Sequence, residues 1–162
     1  MSDSILKLIP TSPLFIPNSI SQINANEYLK SIYISNEIKI ATTDNIEFID
    51  CGENFEEVIC PYCKQSLDME WWSETMSALY ESHFNEASFE LPCCSQTSQI
   101  FDLLYKENCG FSKFVIEVLN PDIDLTPVQL SELERIISCK LKVIKAYYWF
   151  DRRLLWKAKR QF

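Results

Sequence analysis

Hydrophobic positions along this chain recur with a period of two in some segments and near 3.6 in others, which predicts alternating strands and helices. An apolar run at residues 5–9 ends at a proline and predicts the first strand. Residues 37–50 alternate and predict a second strand, with a hairpin break near residues 44–45 as an option. Residues 113–118 alternate again, and apolar positions at 141, 143 and 144 predict the last strand.

Two helices are indicated by the residues that would cap them. Ser19 and Gln22 have the capping-box spacing, in which each side chain bonds a backbone N–H left free at the helix start. Thr126 and Gln129 repeat this spacing, with Pro127 at the first helical position. The predicted buried faces carry Ala25, Tyr28, Leu29 and Ile32 in the first helix and Leu130, Leu133 and Ile137 in the second.

The order of these elements is strand, helix, strand, then a long insertion, then strand, helix, strand. This order predicts an α+β fold with a ferredoxin-like βαββαβ sheet, a zinc-ribbon-like insertion at the middle connection, and a C-terminal basic helix or tail. The predicted parts are residues 1–50 (first βαβ half), 51–110 (zinc-binding insertion), 111–150 (second βαβ half) and 151–162 (basic tail). Apart from the likeness of the two halves, we expect no internal repeat.

The insertion contains two close pairs of cysteines. Cys60 and Cys63 form a Cys-Pro-Tyr-Cys sequence, and about thirty residues later Cys93 and Cys94 follow Pro92. Thiolates are soft ligands, and two short loops can supply four of them to a tetrahedral zinc ion. Neighbouring residues of a strand face opposite sides, so both members of the second pair can bind only if the backbone turns there. The sequence predicts one structural zinc site.

Other residues could complete this site if one member of the second pair does not bind. His83 and Cys109 are the candidates. The simpler interpretation of His83 is a polar residue at a helix end, and that of Cys51, Cys109 and Cys139 is a small buried apolar side chain.

The Cys-Pro-Tyr-Cys sequence is also identical to the active-site sequence of glutaredoxins, in which the two cysteines form a redox-active dithiol. Such a dithiol requires a helix that begins at its first cysteine and lowers the pKa of that thiol. Here the better helix cap is Asp68, several residues later. The neighbouring acids disfavour a thiolate; they are Glu53, Glu56 and Glu57. A redox function is therefore the weaker alternative.

Charge is distributed unevenly within the net charge of -8. Between Cys51 and Cys109 there are eleven acidic residues against two lysines, and four thiolates on zinc would add negative charge. Phosphate groups would be repelled by this region, which is unsuited to bind nucleic acid. The tail is basic; it carries Arg152, Arg153, Lys157, Lys159 and Arg160.

Composition limits the classes of protein to which this chain could belong. A hydrophobic content of 47% in 162 residues is that of a globular protein. There is no charged-then-apolar leader and no apolar run long enough to span a bilayer, so we expect a cytoplasmic protein without membrane contact. In a reducing compartment paired cysteines favour metal binding over disulfides. With a single histidine no catalytic constellation is indicated, and we expect no enzyme.

Several motifs together resemble a family of small, uncharacterised bacterial proteins. They are Phe48-Ile49-Asp50-Cys51-Gly52, Cys60-Pro61-Tyr62-Cys63, Glu70-Trp71-Trp72, Pro92-Cys93-Cys94, Gly110-Phe111 and Asn120-Pro121. The resemblance covers about residues 5–148 and implies a zinc-ribbon insert without an established activity. The tail departs from it.

These observations favour a non-enzymatic, zinc-stabilised protein that binds and neutralises a partner protein, as an immunity protein does, with a basic toxin as one candidate partner. Trp71, Glu70 and Glu74 are the predicted partner-binding residues, on a helix capped by Asp68. The simpler interpretations of these residues are that the tryptophan packs on the sheet and that the glutamates belong to a solvated acidic face. The rival function is a nucleic-acid-associated or regulatory factor that uses the basic tail, and the tail could instead serve a homodimer.

Overall fold

The computed structural model describes residues 2–86 and 88–149, and within them the fold is mixed α+β. In chain order the elements are β1 (Asp3–Pro10), α1 (Ser19–Ile32), β2 (Ile38–Ile49), β3 (Val58–Ile59), α2 (Met69–Glu81), β4 (Ser88–Glu90), β5 (Thr97–Gln99), a 3₁₀ turn (Ile100–Asp102), β6 (Leu104–Tyr105), β7 (Gly110–Leu119), α3 (Pro127–Ile137) and β8 (Leu141–Tyr148).

Four long strands form one antiparallel sheet in the order β2-β7-β1-β8. The central strand β1 pairs Ile5 with Leu119 of β7 and with Ala146 of β8. Helices α1 and α3 pack on one face of this sheet. The core between them consists of apolar side chains from both layers, among them Leu6, Leu8, Ala25, Leu29, Phe114, Ile116, Val118, Leu133 and Ile137. All four predicted long strands and both capped helices are present.

The caps show where sequence reasoning was correct and where it was one residue off. In α3 the capping box forms as predicted: Gln129 N donates to Thr126 Oγ1 at 3.2 Å, and Thr126 N donates to Gln129 Oε1 at 2.9 Å. In α1 the cap is Asn18, whose Oδ1 accepts from Ser21 N at 2.8 Å, rather than Ser19. Asparagine is as effective a cap as serine, and here it precedes the serine.

The predicted hairpin option within β2 is wrong. The strand stays paired with β7 on both sides of a register shift between Thr42 and Glu47. Inside the shift, the hydroxyl of Thr43 donates to the carbonyl of Asn45 at 2.7 Å, and Ile46 is buried in the core of the insert. The irregularity therefore redirects the end of β2 from the helices to the insert.

The insert is defined here as residues 50–109, which leave the sheet at the end of β2 and return at the start of β7. Its strands are two or three residues long, and a helix, α2, lies between them. Its core is shared with the sheet, since Phe111 of β7 stands 5.2 Å from the ring centroids of Phe48, Phe84 and Phe101. The remaining buried members come from several segments and include Val58, Leu67, Trp72, Met76, Leu91, Ile100 and Leu103.

Strand β8 runs through Tyr148, so Tyr147 and Tyr148 belong to the sheet and do not begin an amphipathic helix. Trp149 follows and is exposed. Residues 150–162, including the predicted basic helix or tail, lie outside the described residues.

A buried lysine anchors the insert to the sheet on the face opposite the helices. Lys7 lies between two helix-facing leucines on β1, and strand alternation directs it to the other side, where it is 1% exposed. Its Nζ donates to the backbone carbonyl of Asp50 at 2.9 Å, to Asp50 Oδ1 at 3.2 Å and to the Tyr148 hydroxyl at 2.7 Å. Because the ammonium group has three strong acceptors, its charge is tolerated inside the protein.

The same contacts fix the first residues of the insert. The Tyr148 hydroxyl donates to Asp50 Oδ2 at 2.8 Å, and Gly52 N donates to that oxygen at 3.1 Å. Burial and the Asp50 carboxylate raise the pKa of Tyr148, so its phenol remains a donor. Gly52 has φ +60°, and a Cβ there would lie 2.2 Å from the carbonyl of Tyr147. Only glycine fits this close approach.

We predict that Lys7→Met lowers the free energy of unfolding by about 3 kcal/mol, because it removes the buried cation that bonds to the Asp50 carboxylate. Lys39→Met is the matched control: its ion pair with Glu37, 3.4 Å long, is exposed, so its removal should change stability by less than about 0.5 kcal/mol. Urea denaturation of both variants measures the difference. Equal effects would contradict an anchoring role for Lys7.

Candidate metal centre

Two turns of the insert bring four cysteines together. Cys60 and Cys63 lie in the turn after β3, and Cys93 and Cys94 lie in the turn between β4 and β5. Their four sulfur atoms lie within 4.8 Å of one another. The closest pairs join the two turns: Cys60 Sγ is 3.8 Å from Cys94 Sγ, and Cys63 Sγ is 3.4 Å from Cys93 Sγ. The predicted cysteine cluster is thus formed.

These spacings fit a tetrahedral metal ion. Bonds of about 2.3 Å between zinc and sulfur place the ligand atoms about 3.8 Å apart. A disulfide would require about 2.05 Å, so all four cysteines are thiols. The donor set of four sulfurs suits a thiophilic ion.

The first turn wraps its backbone around the sulfur of Cys60. The amides of Tyr62 and Cys63 donate to Cys60 Sγ at 3.4 and 3.5 Å. Lys64 closes the turn with φ 64°, and its N–H donates to the carbonyl of Cys60 at 3.1 Å. Burial alone would raise the pKa of the Cys60 thiol, but the two amide donors, together with hydrogen bonds from the thiols of Cys93 and Cys63, outweigh it and lower this pKa to about 6. The turn therefore stabilises a thiolate at Cys60.

The second turn has the same backbone as the first, 31 residues later. Leu91 N donates to Gln96 O at 2.9 Å, as Cys60 N donates to Gln65 O at 2.9 Å. Ser95, with φ 59°, donates to the carbonyl of Leu91 at 2.9 Å, as its counterpart in the first turn does. The expectation of no internal repeat is therefore wrong. The shared sequence signal is Pro-x-Cys-x-Gln, at residues 61–65 and 92–96.

Aligning the two turns shows that the second one lacks its first cysteine. Leu91 stands in the place of Cys60; both are fully buried, in the same core. Cys94 corresponds to Cys63. The fourth sulfur comes from Cys93, which corresponds to Tyr62 and has no ligand counterpart in the first turn. This is how two adjacent cysteines both reach the centre, as the sequence required.

The centre is buried on one side only. Cys60 is buried, Cys93 and Cys94 are partly buried, and Cys63 is exposed. Burial, followed by hydrogen bonding with the thiols of Cys63 and Cys60, raises the pKa of Cys93 to about 12. The cluster thus has one sulfur suited to carry negative charge and one that retains its proton until a metal displaces it.

The alternative ligands lie elsewhere. His83 is exposed beyond the end of α2, with its ring centroid 6.0 Å from that of Tyr80. Cys109 and Cys51 are buried together beside the sheet, and Cys139 is partly buried near the end of α3, in agreement with apolar roles. No helix begins at Cys60, where a glutaredoxin-like dithiol requires one; α2 begins at Met69.

The predicted partner-binding residues lie on the first turns of α2. Asp68 caps the helix by accepting from Trp71 N at 2.9 Å. Glu70 and Glu74 are exposed one turn apart. Trp71 is half-buried, and its ring meets that of Phe89 edge-on at 5.5 Å, so it packs within the insert rather than on the sheet.

The chain matches no protein-family model, and neither curated proteins nor solved structures show a significant similarity to it. The longest helix within residues 2–86 and 88–149 has 14 residues, and none there is long and apolar enough to cross a membrane.

We predict that Cys60→Ser abolishes metal binding. With metal at about 1,000 times its dissociation constant, the lost binding should lower the free energy of unfolding by about 4 kcal/mol. Cys139→Ser, outside the centre, should keep the metal and cost less than about 1 kcal/mol. Native mass spectrometry gives the metal content, and thermal unfolding gives the stability. Retention of the ion by Cys60→Ser would refute the assigned centre.

Proposed function

We propose that this chain is a non-enzymatic binding protein in which a structural zinc ion stabilises an acidic insert on a ferredoxin-like sheet. The sheet order β2-β7-β1-β8, with both helices on one face, supports the ferredoxin-like assignment. The two matching turns, each at the end of a short strand, support a zinc-ribbon-like insert. The observation that carries the proposal is the convergence of four sulfurs within 4.8 Å.

Zinc is the metal that this donor set favours. It has no geometric preference of its own and accepts four thiolates in a tetrahedron. Four protein ligands fill the shell, so the resting centre has no position for a catalytic water. The strands of the insert are too short to be stable alone, and metal binding would add directly to their folding free energy. Such a site requires reduced thiols, which supports a cytoplasmic location.

The acidic face of α2 is the proposed docking surface. Glu70 and Glu74 are exposed, and neither forms an ion pair with any residue that the structure describes. Their charge would accelerate association with a basic partner. The exposed part of Trp71 lies on the same turns and would supply apolar contact area. Asp68 caps the start of α2, and the two cysteine turns lie before and after this helix in the chain. These constraints would pre-organise the acidic face of α2 for binding.

The partner that fits this surface is a basic protein, and the function is its neutralisation, as immunity proteins neutralise toxins. Neutralisation requires a rigid complementary surface and no chemistry of its own. This agrees with a metal shell closed by protein ligands and with an insert in which acids outnumber lysines twelve to two.

We predict that Glu70→Lys/Glu74→Lys abolishes capture of a basic partner. The tagged protein would be isolated gently from its host at low salt, and native mass spectrometry would identify a stoichiometric companion. Asp44→Lys/Asp122→Lys makes the same charge change at exposed positions outside the insert and should retain the companion.

Three outcomes would contradict the proposed function. They are loss of the companion in both double variants, its retention in both, and a wild-type protein isolated with one zinc but no companion. Co-isolated nucleic acid that disappears when residues 151–162 are deleted would favour the rival function instead.

A further inference from the structure

We propose that Cys93 is the exchangeable ligand of the metal centre: Cys60, Cys63 and Cys94 retain the metal, while the Cys93 thiolate can leave and react with soft electrophiles. This inference rests on the proposed metal centre but not on the proposed partner. It assigns a modification site to one sulfur and makes the fourth coordination position available to a monodentate donor such as an external thiol.

The repeat of the two turns separates Cys93 from the other ligands. In the first turn the ligands occupy the first and fourth positions, Cys60 and Cys63. In the second turn the fourth position is again a ligand, Cys94, but the first is Leu91. Three of the four sulfurs therefore occupy positions that the turn is built to present, and Cys93 reaches the metal from the third position.

Backbone support distinguishes Cys93 from Cys60; among the described residues, no amide donates to the sulfurs of Cys63 or Cys94 either. Cys60 Sγ accepts two amide hydrogen bonds, which stabilise its negative charge. Within residues 2–86 and 88–149, no backbone amide donates to Cys93 Sγ; its hydrogen-bonding partners there are the thiols of Cys63, at 3.4 Å, and of Cys60 and Cys94. A thiolate without amide donors keeps more of its charge on sulfur, and it is the more nucleophilic of the two when bound to the same metal.

Position also exposes this sulfur. The residue at the equivalent place in the first turn, Tyr62, directs its side chain outward and is 55% exposed. Cys93 is partly exposed, as Cys94 is, and its sulfur lies 3.4 Å from that of the exposed Cys63, whereas Cys60 is buried. A leaving Cys93 side chain can therefore move toward water without disturbing the core of the insert.

The resulting chemistry is a simple substitution at sulfur. With iodoacetamide as the probe, the Cys93 sulfur forms a bond to the methylene carbon, the carbon–iodine bond breaks, and iodide leaves with the electron pair. The product is a neutral thioether, a weak ligand for zinc, and water or an added thiol takes the fourth position. The three remaining thiolates still hold the metal, as in sites with three protein ligands.

The first experiment labels the zinc-loaded Cys139→Ser protein, which lacks the partly buried cysteine outside the centre, with less than one equivalent of iodoacetamide. Peptide mapping identifies the labelled residue, and native mass spectrometry reports the zinc. We expect Cys93 to carry most of the label, with zinc retained in the singly labelled chain. Exposure alone predicts Cys63 instead, so label at Cys63, or zinc loss with the first label, overturns the inference.

The second experiment compares Cys93→Ser with Cys94→Ser by titration with cobalt(II). We expect Cys93→Ser to bind one ion with its sulfur-to-metal absorption lowered by about a quarter, because three of four thiolates remain, and to change its spectrum when 2-mercaptoethanol is added. Cys94→Ser should bind far more weakly. A wild-type chain that binds no metal refutes the proposed centre itself, whereas a loaded wild type with a metal-free Cys93→Ser refutes this inference alone.

A third variant makes the ligand positions of the second turn equal to those of the first. Because it keeps four cysteines, it tests the role of Cys93 without removing a ligand. Leu91→Cys/Cys93→Tyr gives the second turn the ligand positions and the tyrosine of the first. We expect it to bind one zinc through four thiolates and to lose the fast-reacting sulfur, with labelling slowed at least about tenfold. Unchanged labelling kinetics in the metal-loaded variant would contradict the assignment of Cys93.

Discussion

Convergence of four sulfurs is the constraint on which the insert depends. Two turns with the same backbone, separated by 31 residues, must face each other closely enough to place four thiols within 4.8 Å. The connecting strands are two or three residues long and supply few backbone hydrogen bonds. Four thiols held this close would repel one another as thiolates, and a bound cation would convert this repulsion into attraction.

Two further features tie this region to the sheet. Its core continues into β7 through Phe111, whose ring contacts aromatic residues of the insert, so the two parts share one apolar interior. At the insert's first residue, Asp50 bonds to the buried Lys7 of the central strand. The first contact is non-directional and tolerates repacking, whereas the second is directional and fixes where the chain leaves the sheet. Together they make the orientation of α2 a property of the whole fold.

Local signals predicted much of this structure. Asp68 and Thr126 cap their helices as expected, and the spacing of the cysteines predicted the cluster of four sulfurs. Long-range effects were not predictable. The register shift in β2 depends on Ile46 joining the core of the insert, and Lys7 sits in an apolar run without any sign of its distant partners. The repeat was hidden because a leucine occupies one of its ligand positions.

That leucine has a consequence for how such centres are recognised. The first turn brings a buried sulfur, that of Cys60, to the candidate metal centre, and the second places the side chain of Leu91 at the equivalent position, in the same apolar core. The cluster still has four sulfurs, because Cys93 supplies the fourth one from a different position of the second turn. A pattern search for two Cys-x-x-Cys pairs overlooks this chain, whereas a search for two Pro-x-Cys-x-Gln turns finds both halves. In this chain the repeated turn is therefore a clearer signature of the cysteine cluster than the spacing of its ligands.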